Sequence, residues 1–242
     1  MTNHIGKISP YKAARVAGIL YLIIIISGIF AEFFVRSNLI VPEDAAATAN
    51  NIMASESLFR LSIASDFIMI ISDVALALIL YILLKPVSNL LSLMAAFFRL
   101  AQAAVLGVNL LNLFFVLQLL SGANTLSTFD PNQLHALVLL FLNAHSTGYS
   151  IGLVFFGIHC LILGYLIFRS GYFPKVLGVL LIIASFGYLI DSFAHFLLPN
   201  YKDYENIFLP VVFIPAFIAE LSFCLWLLIK GAKISEIKEI KS

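Results

Sequence analysis

The sequence predicts an all-α integral membrane bundle of six transmembrane helices, with both termini cytoplasmic and a short outer-face helix before the fourth span. Three observations carry this reading. The chain is 62% hydrophobic and only 11% charged, with a mean hydropathy of +1.04, whereas a soluble domain carries about 25% charged residues. Six apolar runs lie at about 14–35, 58–84, 89–121, 147–168, 174–197 and 208–229, each near or above the ~20 residues that cross a hydrocarbon core about 30 Å thick. Finally, the basic residues fall at alternate ends of those runs. Lys7, Lys12, Arg15, Lys85, Arg169, Lys175, Lys230 and Lys233 share one side of a six-span chain. The other side holds Glu43, Asp44, Glu56, Asp130, Asp203 and Glu205, with Arg36, Arg60 and Lys202 as its basic residues, so the excess of Lys and Arg puts both termini in the cytoplasm.

Residues 1–242 read as one membrane domain ending in a short cytoplasmic tail over 230–242. The first run, "ARVAGILYLIIIISGIFAEFF", follows basic residues as a signal peptide would, but it is too long for a signal core and is read as a retained span. The loop "VPEDAAATANNIMASESLFR" is rich in helix formers and suits a helix lying at the interface. "LLKPVSN" and "RSGYFPK" each join proline to a basic residue, the mark of a tight cytoplasmic turn. Asp130 followed by Pro131 reads as an N-cap and first helical residue. From Leu134 to Phe168 a single helix would be roughly 52 Å long, so a short outer helix over 131–145 is expected to bend near Thr147 and Gly148 into the fourth span. The glycine pairs Gly148 and Gly152, and Gly157 and Gly164, lie within that stretch and suit close helix packing. Cys160 and Cys224 lie within apolar runs, as small buried thiols do.

Charges inside the spans carry the functional argument. An arginine at bilayer depth costs at least about 2.5–3.5 kcal/mol, so Arg99, alone in the long run from Asn89 to Leu120, needs a partner. Counted from the cytoplasmic ends, Asp73, Arg99, His159 and Glu220 all lie roughly 15–18 Å in, at 1.5 Å per residue. They form one layer. Asp73 is the favoured partner of Arg99 because the turn between spans two and three is short; Glu220 is the second candidate. Two carboxylates then face one arginine, and a protonated His159, a proton on Glu220 or a bound cation would supply the balance.

A second polar set lies nearer the outer face. Asp66 precedes Asp73 by two helical turns on the same side of its helix, Asn109 and Asn112 lie on the third span, and Glu32 closes the first. "DSFAH" places Asp191 and His195 one turn apart, and with His145 they make a candidate zinc set. Neither HExxH nor paired CxxC accompanies them. Nucleophile signatures, phosphate-cradling loops and nucleotide fingerprints are absent from the sequence, and a net charge of +1 offers nothing to nucleic acid.

The stretches "RLSIASDFIMIISDVALALILYILLKPVSNLLSLMAAFFRLAQAA" and "IGLVFFGIHCLILGYLIFRSGYFPKVLGVLLIIASFGYLIDS" resemble the uncharacterised bacterial membrane family catalogued as domain of unknown function 4386. The shared elements are Asp66, Asp73, the "LLKPV" turn, Arg99 in "FRL", Asn109, His159 in "FFGIHC", and "RSGYFPKVLG". The resemblance implies a multi-span helical protein of the bacterial cytoplasmic membrane and assigns no activity to any residue. Three readings follow: a protein that binds or transports a small polar molecule or protons through the layer of Asp73, Arg99, His159 and Glu220, with Asp66 and Asn109 beside it; a zinc-dependent membrane hydrolase using His145, Asp191 and His195; and a structural or partner-binding membrane protein. The bilayer is the partner common to all three, and the unbalanced charge favours the first.

Overall fold

Local caps set the helix starts. The computed structural model describes residues 9–122 and 128–232, and among them every regular element is helical. Ser9 accepts the Lys12 N–H at 3.3 Å and Pro10 opens helix α1, which runs Pro10–Leu39. Asp44 accepts the Ala47 N–H at 2.8 Å and starts a short helix α2, Ala45–Ala54. Helix α3 is Glu56–Leu84, and Ser88 caps α4, Asn89–Leu119, so that only the Lys85–Ser88 turn separates them. Asp130 and Gln133 close a reciprocal capping box over Pro131 at the head of α5, Pro131–Ser170. Gly171, at φ +68°, ends α5 in the left-handed conformation that glycine adopts without strain. Helices α6, Lys175–Leu197, and α7, Glu205–Ile229, complete the chain. All but α2 are long and apolar enough to cross a membrane. The tail expected after Lys230 lies, from residue 233, outside the described residues.

One expectation is corrected. No separate short helix forms over 131–145: α5 passes unbroken through Thr147 and Gly148 for 40 residues. Thr147 bonds the Asn143 carbonyl at 3.1 Å and Ser150 the Ser146 carbonyl at 3.2 Å, so the polar residues there support the turn they were expected to open. Gly148 is needed for contact instead, because a side chain at that position would run into the Asn109 amide. The first half of α5 does not stand free, since α2 packs on it.

The six long helices form a closed ring. Each packs on its neighbour in sequence, and α7 returns to pack on α1. Glycines set the closest approaches. A Cβ on Gly178 of α6 would lie 2.5 Å from the Gly164 carbonyl oxygen and 2.8 Å from the Phe168 nitrogen of α5. One on Gly18 of α1 would meet Leu228 of α7 at 2.8 Å. Large apolar side chains such as Ile71, Val108, Ile190 and Val211 point outward, suiting hydrocarbon rather than water. Inside, one apolar cluster gathers Leu76, Leu80, Leu84, Leu163, Leu181 and Leu227, and a second joins α2 through Ile52 to Val35, Phe59, Leu113 and Val138. Buried Asp66, Asp73, Arg99, Gln102, Asn109 and His159 complete the interior.

Within α1, residues Phe30–Arg36 widen into a π-helical turn, where Val35 and Arg36 are both buried. Such turns cost backbone regularity and recur at functional positions.

Gly178→Leu is expected to force α5 and α6 apart and to destabilise the protein by at least about 1–3 kcal/mol. Gly107→Leu, where nothing lies within 4 Å of the added Cβ, should leave the unfolding midpoint in detergent nearly unchanged. Thermal denaturation of the two variants side by side checks the contrast.

Candidate functional site

Arg99 of α4 is fully buried and its three guanidinium nitrogens are all engaged. Nε donates to Asp73 Oδ1 of α3 at 2.9 Å and Nη2 to the same oxygen at 2.5 Å. Gln102 Nε2 approaches the other oxygen, Oδ2, at 3.4 Å. Nη1 lies 3.0 Å from Nε2 of His159 on α5, and His159 Nδ1 lies 2.8 Å from the Ala95 carbonyl oxygen. A guanidinium can only donate and a carbonyl can only accept. His159 is therefore neutral, with its proton on Nδ1 and Nε2 accepting from Arg99. Of the three ways in which the second carboxylate could be balanced, this geometry speaks against a protonated His159 and leaves a proton on Glu220 or a bound cation.

Aromatic rings close the arginine off. Its Cζ sits 5.2 Å from the Tyr21 ring centroid of α1 and 5.3 Å from that of Phe156 on α5, within cation–π range. Phe156 stacks on His159 and meets Tyr188 of α6 edge-on at 5.2 Å. The Tyr188 hydroxyl donates to Glu220 Oε1 of α7. Every long helix thus contributes to the layer. Glu220, the second candidate partner of Arg99, takes a neutral hydroxyl instead. The Tyr21 hydroxyl and Gln102 Oε1 are buried without a hydrogen-bond partner.

A second ion pair lies further along α3. Arg36, from the π-helical turn of α1, donates from Nη1 to Asp66 Oδ2 at 2.6 Å and from Nη2 to Oδ1 at 3.3 Å, while Nε reaches Glu32 at 2.8 Å. Sequence reasoning placed Arg36 at a span end and missed this pair. The available signal was that Arg36 is one of three basic residues on the side where acids predominate. Asn109 Nδ2 donates to the His145 carbonyl at 2.9 Å and lies 3.1 Å from its Nδ1. Asp66, Asn109, His145 and Tyr149 border a cavity of about 10 Å³, the room of one water molecule.

The three candidate zinc ligands are not gathered into one group. His145 belongs to that α4–α5 contact, whereas Asp191 accepts from the Tyr201 hydroxyl at 2.6 Å and the His195 ring packs 4.8 Å from that of Tyr201. Among the described residues, no three His, Cys, Asp or Glu side chains form a metal-holding group. Cys160 and Cys224 are unbridged and buried.

The residues that build both ion pairs fall inside one family match. The family described as domain of unknown function (DUF4386) matches residues 16–231. This chain belongs to DUF4386. As a DUF4386 protein it resembles an uncharacterized protein of Archaeoglobus fulgidus, 34% identical over 176 residues that make up 73% of this chain and 87% of the relative. The likeness therefore reaches an archaeal protein and is not bounded by bacteria. No solved structure matches the chain.

Removing one partner of a buried ion pair leaves the other charge uncompensated and typically costs about 3–5 kcal/mol. Arg99→Met and Asp73→Leu should each destabilise the detergent-solubilised protein on that scale. The double variant should recover most of the loss. Unfolding midpoints across this cycle measure the coupling.

Proposed function

We propose that this DUF4386 member is a multi-pass protein of the cell membrane that binds and passes protons through its mid-depth layer, with Glu220 as the group that takes up and releases the proton. One observation carries the reading. Asp73 holds Arg99, and His159 accepts from it while donating to Ala95. Glu220 is left with the hydroxyl of Tyr188 as its hydrogen-bond partner. A carboxyl at this depth without a cation of its own is stable as the neutral acid, and gains or loses charge only as a proton moves. The cavities bordering Asp66 and His159 are each about 10 Å³, which suits water and protons better than a solute of several atoms.

The proposed orientation keeps both termini in the cytoplasm. Lys12, Arg15, Lys85, Arg169, Lys175 and Lys230 flank the ends that share that face, in keeping with the excess of basic residues on the cytoplasmic side of membrane proteins.

Infrared titration of the protein in lipid tests the assignment. A carboxylic C=O band should appear and vanish reversibly with pH in the wild type and be missing in Glu220→Gln. Proteoliposomes driven by a potassium diffusion potential should acidify in the wild type and fall to background in Glu220→Gln, with the unfolding midpoint preserved. A Glu220→Gln variant that keeps full proton flux would leave the layer as a helix clip and no more.

A further inference from the structure

The two ends of the ring treat their cations differently. At one end α1 begins, α3 turns into α4, α5 turns into α6 and α7 stops. Lys12, Arg15, Lys85, Arg169, Lys175 and Lys230 lie there, and all are exposed. Among the described residues this end holds no Asp or Glu, and none of its cations is in an ion pair. At the other end Arg36 is held by Glu32 and Asp66, and Arg60 by Glu56. The helix starts repeat the contrast. Those of α2, α3 and α5 carry Asp44, Glu56 and Asp130, as the positive pole of a helix favours. Those of α1, α4 and α6 have no acid in the first turn, and α6 opens on a lysine.

The neighbours of these cations decide which anion fits. Val16, Phe168, Val176 and Ile229 stand one residue from Arg15, Arg169, Lys175 and Lys230, and Ile82 lies one turn before Lys85. All five are exposed apolar side chains, and each lies on the side of its cation nearer the middle of the ring. Two of the charges also rest against exposed aromatic rings. Lys175 Nζ is 5.4 Å from the Phe168 ring centroid, and Arg15 Cζ is 4.6 Å from that of Tyr11. Such rings collect where headgroups meet acyl chains. A soluble anion makes no use of the apolar neighbours, whereas a phospholipid engages charge and hydrocarbon together.

We infer that this rim is a docking surface for anionic phospholipid, with headgroup phosphates on the cations and acyl chains on the exposed apolar side chains beside them. The fullest seat is the α5–α6 turn, where Arg169 and Lys175 flank residues 171–174 and Phe168 and Val176 lead from them into the hydrocarbon. A charged leaflet attracts each lysine or arginine at its surface, and here it supplies the counter-charge that the fold supplies for Arg36 and Arg60. The surface is independent of the proton reading of Glu220.

Native mass spectrometry of the detergent-solubilised protein, with equal amounts of phosphatidylglycerol and phosphatidylcholine of matched chains, tests the surface. Phosphatidylglycerol adducts should lead at least about fivefold. The lead should shrink severalfold in Arg169→Gln, Lys175→Gln and hold in Arg60→Gln, at the opposite end. Equal adducts of the two lipids, or an unchanged lead in the double variant, overturns the proposal. Both proteins should unfold at the same temperature in phosphatidylcholine alone, which a structural role for the two cations would not allow. Thermal unfolding of the unsubstituted protein separates the sources of phosphate and needs no variant. Phosphatidylglycerol should raise the midpoint by at least about 2 °C over phosphatidylcholine, and inorganic phosphate or glycerophosphoglycerol should not. An equal rise with either soluble anion replaces lipid docking with a free anion site. The rise should also fade in 1 M salt, where the screening length drops to about 3 Å, and a rise that salt leaves intact removes the charge basis of the surface.

Discussion

The burial of Arg99 governs the rest of the structure. A guanidinium this far from water is tolerable only when its donors are met at close range, and the fold meets them from several directions. Asp73 takes two bonds on one oxygen, His159 takes a third, and two aromatic rings lie over the charge. Each partner fixes the rotation of a different helix. Once Arg99 is satisfied, α1, α3, α4 and α5 have little freedom to turn about their axes, and α6 follows through the contact of Tyr188 with Phe156.

The same logic is repeated along α3. Asp66 and Asp73 look from one side of that helix, and each holds an arginine from a different neighbour: Arg36 from α1 and Arg99 from α4. One helix thus anchors its two flanking helices by two buried pairs, at heights roughly 10 Å apart at 1.5 Å per residue. Buried charges confer less net stability than apolar packing of the same volume, but they penalise every wrong register heavily. In a bundle whose outer surface and much of whose interior are equally greasy, such penalties are a direct means of selecting one helix arrangement.

Much of this was legible in the sequence because lipid simplifies the code. Apolar runs and alternating basic flanks give the six long helices, and Asp130 with Pro131 marks the start of α5. The short Lys85–Ser88 turn made Asp73 the natural partner of Arg99. Counting residues gives height along a helix but not the direction a side chain faces, which is why Glu220 could be set in the layer without its Tyr188 partner being foreseen. Arg36 escaped because a basic residue at the end of a span ordinarily reaches for water, and only the π-helical turn shows that it faces inward. Tyr21 and Tyr188 sit in runs where tyrosine reads as one more apolar ring. Thr147 and Gly148 resembled a break, but a threonine can bond back to its own helix and a glycine can admit a neighbour's amide, and both occur here.

Closure of the ring between α1 and α7 also has a bearing on how the chain is made. Helices leave the ribosome in order, and domains tend to fold from the amino terminus during synthesis. The α3–α4 hairpin can pair Asp73 with Arg99 as soon as those two segments have emerged, so the costliest charge is neutralised early. The seam of Gly18 against Leu228, with the Cys224 thiol donating to the Gly18 carbonyl, waits for the last helix. Until then the nascent protein is an open arc with one flank of α1 unclaimed, and the arrival of the carboxyl-terminal segment closes that arc into a ring and brings Glu220 to the hydroxyl of Tyr188 in the same event.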